Sequence, residues 1–195
     1  MSRPSPTTAA GPERRGAPGC PPPAGPGRGA VSPEAMREAM RLLASPVAVL
    51  AAGLAGEPRG LTVGSLFSLS LEPPMVGFAV RRESTSWPAI LAAGRFRISV
   101  LADGQAAVAA ALSRSQSTKF DAVPWSWSAH GNPAVAGALL GIECLLHREV
   151  ETGDHLLVTA HVRTLEPGRS SNSGEASDKP LVYYLREYRT LEAHA

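Results

Sequence analysis

Between Val47 and Tyr184 the apolar residues come in short stretches, each cut off by turn formers. Val47 to Ala52 precedes Gly56-Glu57-Pro58, Arg59 to Ser65 precedes the Leu71-Glu72-Pro73-Pro74 corner, and Met75 to Val80 and Phe96 to Leu101 follow. Stretches of this length bounded by Gly, Pro, Asp and Ser read as strands. None approaches the roughly 18 apolar residues of a membrane-crossing helix. Ser86 to Gly94 and Asp103 to Leu112 read as helices, the first ended by Gly94 and the second capped by Asp103. Ile142 to Val150 and His155 to Leu165 flank Glu151-Thr152-Gly153-Asp154 as an antiparallel hairpin. Leu181 to Tyr184 is a last strand, after a Ser- and Asn-rich segment, Pro167 to Lys179, expected to be a mobile surface loop. Short strands without regular helical crossovers predict a mostly β fold with short helices, a closed antiparallel barrel instead of a doubly wound parallel sheet.

Upstream, residues 1–33 hold nine of the 18 prolines and almost no large apolar side chain. Such a segment cannot offset its ordering entropy by burial, so it reads as a disordered leader to a single domain over residues 34–192. Arg14, Arg15 and Arg28 lie in it without an amphipathic pattern. Ser32 and Pro33 then start a helix running to Leu43, with Met36, Met40 and Leu43 on one face, expected to cover one end of the domain. A net charge of +2 with scattered arginines gives no nucleic-acid footprint. Cys20 and Cys144 make no disulfide framework and the N-terminus has no secretory apolar region, which together point to the cytoplasm. Cys144 alternates with Ile142 and Leu146 and reads as a buried small hydrophobe.

Four segments carry chemistry. In Gly60-Leu61-Thr62-Val63-Gly64-Ser65-Leu66-Phe67-Ser68-Leu69-Ser70, glycines and small hydroxyls replace the bulky alternation, so a flat ligand can approach the backbone. A flavin ring suits that arrangement, with Thr62 and Ser65 as hydroxyl contacts and Ser68 and Ser70 as alternates; a strand using serines for local hydrogen bonds has the same look. Arg81-Arg82-Glu83-Ser84-Thr85-Ser86-Trp87-Pro88 sets cations and hydroxyls before a helix start, fit for a phosphate or for plain capping. Lys119-Phe120 follows a helix, where a lysine is ordinarily a solvated charge. Gly153-Asp154-His155 puts an imidazole at a barrel rim, either beside a nicotinamide or as an idle turn histidine. Trp125 and Trp127 share a face if extended, where they either cover a flavin pocket or pack on the barrel, packing being the favoured reading.

In order and spacing these segments resemble the short-chain flavin reductases, the reductase components of two-component flavin monooxygenases. The resemblance spans about residues 34–192. It rests on Arg59-Gly60-Leu61-Thr62-Val63-Gly64-Ser65, Ser70-Leu71-Glu72-Pro73-Pro74, Ser84-Thr85-Ser86-Trp87-Pro88, Gly94-Arg95-Phe96, Lys119-Phe120, Gly153-Asp154-His155 and Tyr184. It implies an FMN-binding split barrel, a homodimer, with FMN or FAD against Thr62, Val63, Gly64 and Ser65. Arg81, Ser84, Thr85, Ser86, Trp87, Lys119 and Phe120 complete the cofactor set it implies, the Ser84 to Ser86 turn and Lys119 serving the phosphate. His155 would contact the nicotinamide and Asp154 would hold its turn. The family pattern has a serine where this chain has Gly64 and an aromatic where it has Leu66.

On this reading NADH or NADPH passes hydride to the flavin, and reduced flavin leaves for a separate flavin-dependent oxygenase. No Gly-x-Gly-x-x-Gly follows a strand, so the nicotinamide nucleotide has no Rossmann domain of its own and binds over the flavin. Two other readings share the barrel: a flavoprotein that keeps its flavin and acts on a small molecule directly, and a non-catalytic flavin- or haem-binding module. A hydrolase lacks its Gly-x-Ser-x-Gly elbow, and His147, His155 and His161 lack helical metal-ligand spacing, so no metal site is expected.

Overall fold

The computed structural model describes residues 30–115, 118–168 and 179–191. Most of the leader, Cys20, and residues 169–178 of the expected mobile loop lie outside the described residues. In chain order the elements are α1 (Pro33–Met40), β1 (Ser45–Pro46), β2 (Ala48–Leu54), β3 (Glu57–Val63), β4 (Phe67–Leu71), β5 (Pro74–Arg81), α2 (Trp87–Ala93) and β6 (Arg95–Val100). Then come α3 (Ala106–Leu112), β7 (Trp125–Trp127), β8 (Pro133–Val135), β9 (Leu140–Thr152), β10 (His155–Pro167), β11 (Leu181–Tyr184) and β12 (Glu187–Thr190). No helix among the described residues is long and apolar enough to cross a membrane.

Seven strands form one antiparallel sheet in the order β3-β2-β6-β9-β10-β5-β4. Its two end strands, β3 and β4, are consecutive in sequence, so the sheet curls back on itself through the corner at residues 64–66. There Ser65 Oγ donates to the Ala79 carbonyl at 3.0 Å and accepts from the Ala79 N–H at 2.8 Å, joining the end of β3 to β5 without a strand ladder. The mostly β fold with short helices is the one expected, a barrel closed along one seam by a side chain.

The barrel interior takes Leu50, Phe78, Phe96, Ile98, Ile142, Cys144 and Val158 from alternating strand positions. Helix α2 plugs one end, where Trp87 meets Phe78 and Phe96 edge-on at centroid distances of 5.8 and 6.2 Å. A second apolar layer lies outside β2, with Val47, Val49 and Ala51 against Val108 and Leu112 of α3 and against Phe120. Strand β2 is therefore covered on both faces, which is why its sequence is apolar without alternation.

Several elements differ from the sequence reading for local reasons. The turn expected at Gly56-Glu57-Pro58 falls at Ala55-Gly56, both at positive φ (52° and 80°), and Pro58 joins β3, a terminal strand where a missing N–H is tolerated. Asp103 does not cap α3: its carboxylate accepts from Gly104 N and from the Thr190 hydroxyl, and Gln105 stands at the N-cap. Helix α1 is capped by Ser32 as expected, Oγ accepting from Ala35 N at 3.1 Å, but it buries none of its own residues and is tied to the β11–β12 turn by the Glu38–Arg186 ion pair at 3.0 Å. Met36, Met40 and Leu43 are all exposed. Strands β4, β7, β8 and β12 carry no sequence signal strong enough to have been expected.

Candidate functional site

The β9–β10 hairpin places the first component of the site. Gly153 adopts φ 63° and Asp154 does not, the pattern of a type II′ turn with glycine first. Strand β10 then pairs with β5 so that His155 lies opposite Arg81, and Arg82 N donates to the Asp154 carbonyl at 3.1 Å. Asp154 Oδ1 sits 2.7 Å from His155 Nδ1. That hydrogen bond, then the imidazole's charge, holds the exposed Asp154 carboxyl below the usual carboxylate range. An ionised carboxylate can only accept, so Nδ1 carries a proton and Nε2 is the ring nitrogen left for a ligand.

The second component is built by Gly60. A Cβ there would lie 2.8 Å from the Leu50 carbonyl and 2.8 Å from the Phe120 ring, so the bare backbone lets Phe120 pack close against β3. Phe120 is anchored in the outer core, also touching Trp125 at 5.6 Å. Anchoring Phe120 delivers its neighbour Lys119 to the end of β3. Lys119 Nζ donates to Ser86 Oγ at 2.7 Å and to the Arg114 carbonyl at 3.3 Å. Burial, and then the charge of Arg59, push this ammonium below the ordinary lysine range. No carboxylate pairs with it among the described residues. A half-buried cation without a counter-charge is an anion site in waiting.

These pieces share one open cleft of about 530 Å³. Its floor is Leu61 to Ser65 and its wall Ala79 to Arg81, with Glu83 to Ser86 at one rim, Leu112 to Ser115 at the C-terminal end of α3, and Lys119 and His155 also lining it. Of the residues singled out from sequence, Thr62, Val63, Gly64, Ser65, Arg81, Ser84, Thr85, Ser86, Lys119 and His155 are thus brought together. Asp154 stands behind His155. Ser68 and Ser70 lie on β4, away from the cleft. Trp87 and Phe120, each 3% exposed, belong to the cores, and the Trp87 indole N–H donates to Glu149 Oε1 at 2.6 Å. Arg82 is turned toward Glu151, 3.9 Å away.

Two hydroxyls expected to face a ligand are already engaged. Thr62 Oγ1 donates to the Ala109 carbonyl at 2.8 Å, tying β3 to α3, and Ser65 closes the barrel seam. Each keeps an acceptor lone pair, so neither can donate without breaking that bond. The donors left over are backbone: the N–H groups of Gly64 and Ser65, past the end of the ladder, have no intramolecular acceptor among the described residues. These backbone donors carry no side-chain signature in the sequence. Gly64 itself is not sterically required, since a Cβ would meet nothing closer than 3.8 Å. At the phosphate end, Ser84 Oγ accepts from Trp87 N, the first N–H of α2, at 3.2 Å, and the Thr85 hydroxyl has no hydrogen-bond partner among the described residues.

Trp125 and Trp127 pack on each other at 5.0 Å and stay outside the cleft. Cys144 is a core residue whose thiol burial pushes up to about 12. Among the described residues no group of three or more His, Cys, Asp or Glu is placed to hold a metal.

The chain matches the model of the flavin reductase like domain over residues 40–192. It is 39% identical over 158 residues to the 4-hydroxyphenylacetate 3-monooxygenase reductase component of Thermus thermophilus, 81% of this chain and 96% of the relative. It is 36% identical over 162 residues to a flavin reductase of Pseudomonas putida, 83% of this chain and 91% of the relative. Among solved structures, the NADH:FAD oxidoreductase SgcE6 of Streptomyces globisporus, in complex with NAD and FAD fragments, superposes with a TM-score of 0.75 at 28% identity. That match covers 85% of this chain and 98% of the other.

Proposed function

The chain belongs to the flavin reductase-like family, and on that premise we propose that it reduces FMN or FAD with NADH or NADPH and yields reduced flavin to a separate flavin-dependent oxygenase. The observation that carries this reading is the joint placement, in one cleft, of an unpaired ammonium among hydroxyls and a carboxylate-oriented imidazole. A flavin suits the residues present: Lys119, Thr85 and Ser86 offer a charged and two hydroxyl contacts to a phosphate, and the free N–H groups at Gly64 and Ser65 offer donors to a planar heterocycle. When bound, the flavin supplies the hydride acceptor.

The protein's own contribution is alignment and fixed polarity. Gly64 and Ser65 present donors that need no reorganisation when negative charge develops nearby. Ser65 and Thr62 fix the floor that carries those donors by tying it to β5 and α3. Asp154 holds His155 in one tautomer, which leaves Nε2 as the ring nitrogen available to the nicotinamide nucleotide. Arg81, directly across the ladder from His155, adds a cation on the same side. The cleft is open to solvent, as a protein that takes up and releases its flavin requires.

Anaerobic stopped-flow absorbance at the flavin band tests this. Rapid bleaching is expected with at least one pairing of FMN or FAD with NADH or NADPH, and His155→Ala should slow it roughly tenfold through lost alignment. Bound flavin that no nicotinamide nucleotide bleaches would overturn the reductase reading in favour of a binding module. Flavin retained through gel filtration would instead favour an enzyme that acts directly on a small molecule.

The homodimer belongs to the same reading. Phe67, Leu69 and Leu71 are exposed on the terminal strand β4, and an unpaired apolar edge of that kind is ordinarily covered. Sedimentation equilibrium is expected to give twice the chain mass, and Leu69→Lys to shift it toward a single chain. The cytoplasm, where reduced nicotinamide nucleotides are supplied, is the compartment this activity calls for.

A further inference from the structure

Strand β10 leaves the cleft at His155 and, eight residues on at Arg163, roughly 26 Å away along an extended strand, meets a second cavity of about 320 Å³. Its lining combines Arg95 of β6 with Arg163 and Thr164 of β10, over Asn132 and Glu143, with His130 at the rim.

The acceptors here are already used. Glu143 Oε1 takes the Arg97 guanidinium at 3.0 Å and Oε2 takes Asn132 Nδ2 at 2.7 Å, while Asn132 Oδ1 takes Gly53 N at 3.4 Å. The donors are not. Arg95 and Arg163 have no ion-pair partner among the described residues. Thr164 Oγ1 is buried without a hydrogen-bond partner, a state that buried hydroxyls rarely keep.

The β9–β10 register slips between Val162 and Thr164, leaving Arg163 as the extra residue of a bulge. Bulges re-aim side chains, and this one turns a second guanidinium into the cavity that already holds Arg95. Two like charges lining one cavity whose carboxylate, Glu143, is already paired with Arg97, beside an unmet hydroxyl, are complementary to a group that is negative and rich in acceptor oxygens. The cavity is at the small end of ligand pockets, too small for a dinucleotide.

We propose that this cavity binds a small organic anion, a carboxylate or phosphate monoester, held between the guanidinium groups of Arg95 and Arg163 and receiving a hydrogen bond from Thr164. The site is separate from the cleft and does not rest on the flavin reading.

Titration calorimetry with benzoate, inorganic phosphate and uncharged benzamide tests it, followed by amide chemical shifts of the labelled full chain. Benzoate is expected to saturate one site and to move the amides of Arg163 and Thr164, phosphate to move the same amides besides filling the Lys119 end of the cleft, and benzamide to move neither. Arg95→Gln and Arg163→Gln should each weaken benzoate about tenfold or more, and Thr164→Val should weaken it less. Lys119→Met, in the cleft, should leave it unchanged. Both arginines are exposed, and unchanged melting curves of the variants would establish that they fold. Absence of saturation, or loss of benzoate binding in Lys119→Met alone, would overturn the proposal.

Discussion

Replacing Lys119 with methionine is expected to weaken FMN binding about tenfold to a hundredfold, the range for losing a hydrogen bond between two charged groups, while riboflavin binding stays nearly unchanged. The contrast isolates the phosphate. Methionine keeps the length and apolar stem of the side chain, and Phe120 still anchors the segment on Gly60. The variant should also fold at least as well as the parent, because in the ligand-free protein the ammonium is half-buried beside Arg59 without a counter-charge. Fluorescence titration of both flavins with the two proteins, alongside urea unfolding, decides the matter. Equal losses for FMN and riboflavin would show that Lys119 shapes the cleft without reading a phosphate.

The same lysine gives FMN affinity a pH dependence whose sign follows from its lowered pKa. Only the ammonium pairs with a phosphate dianion, so affinity is full below that pKa and falls as pH rises through it, at lower pH than an ordinary lysine would dictate. Stability moves the other way. The unfolded chain holds the proton more tightly, so this group's contribution to folding improves as pH climbs from the folded toward the unfolded pKa. Lys119→Met should remove both trends together.

Much of this site was legible in the sequence because its parts are punctuated locally. Gly153-Asp154-His155 announces a tight hairpin, Gly94 a helix end, and Ser84 to Ser86 a polar approach to a helix. The misreadings share a cause. Trp87 and Phe120 sit next in sequence to Ser86 and Lys119, yet the core claims the aromatics and leaves their neighbours facing the cleft, a division that adjacency does not reveal. Thr62 and Ser65 are cleft residues whose hydroxyls serve the fold, and the free donors beside them are backbone groups without any side-chain signature. Strand β12 was missed because its turn uses Leu185 and Arg186, both at positive φ (53° and 66°), where glycine or asparagine would have advertised it. The bulge at Arg163 is likewise silent, since it depends on how two strands slip and not on the residue that bulges.

The largest stability effect is expected away from the cleft, at Glu143→Ala, with a loss of about 3 kcal/mol, the lower end of the usual cost of breaking a buried ion pair, since Arg97 keeps its second partner Glu166. Glu143 is 3% exposed and Arg97 7%. Their ion pair ties β6 to β9, Arg97 Nη2 reaches Glu166 of β10 at 2.8 Å, and Asn132 links the group to the end of β2. The fold has made room for it: a Cβ on Gly141 would lie 1.8 Å from an Arg97 guanidinium nitrogen. Burial disfavours the Arg97 cation, but its bonds to Glu166 and Glu143 outweigh that and raise its pKa, so the cation cannot neutralise itself when Glu143 is lost. Glu143→Gln should recover only part of the loss. Its amide nitrogen would face the Asn132 amide nitrogen, and flipping Asn132 to accept would turn a donor onto the Gly53 N–H. An apolar double replacement, Arg97→Met with Glu143→Leu, should do better than Glu143→Ala but stay below the parent, because Asn132 keeps a buried amide with no acceptor. The ordering Ala, then the apolar pair, then the parent, read from urea midpoints at constant m-value, separates a buried charge from simple loss of packing; a Glu143→Ala midpoint at or above that of the apolar pair would sink the account.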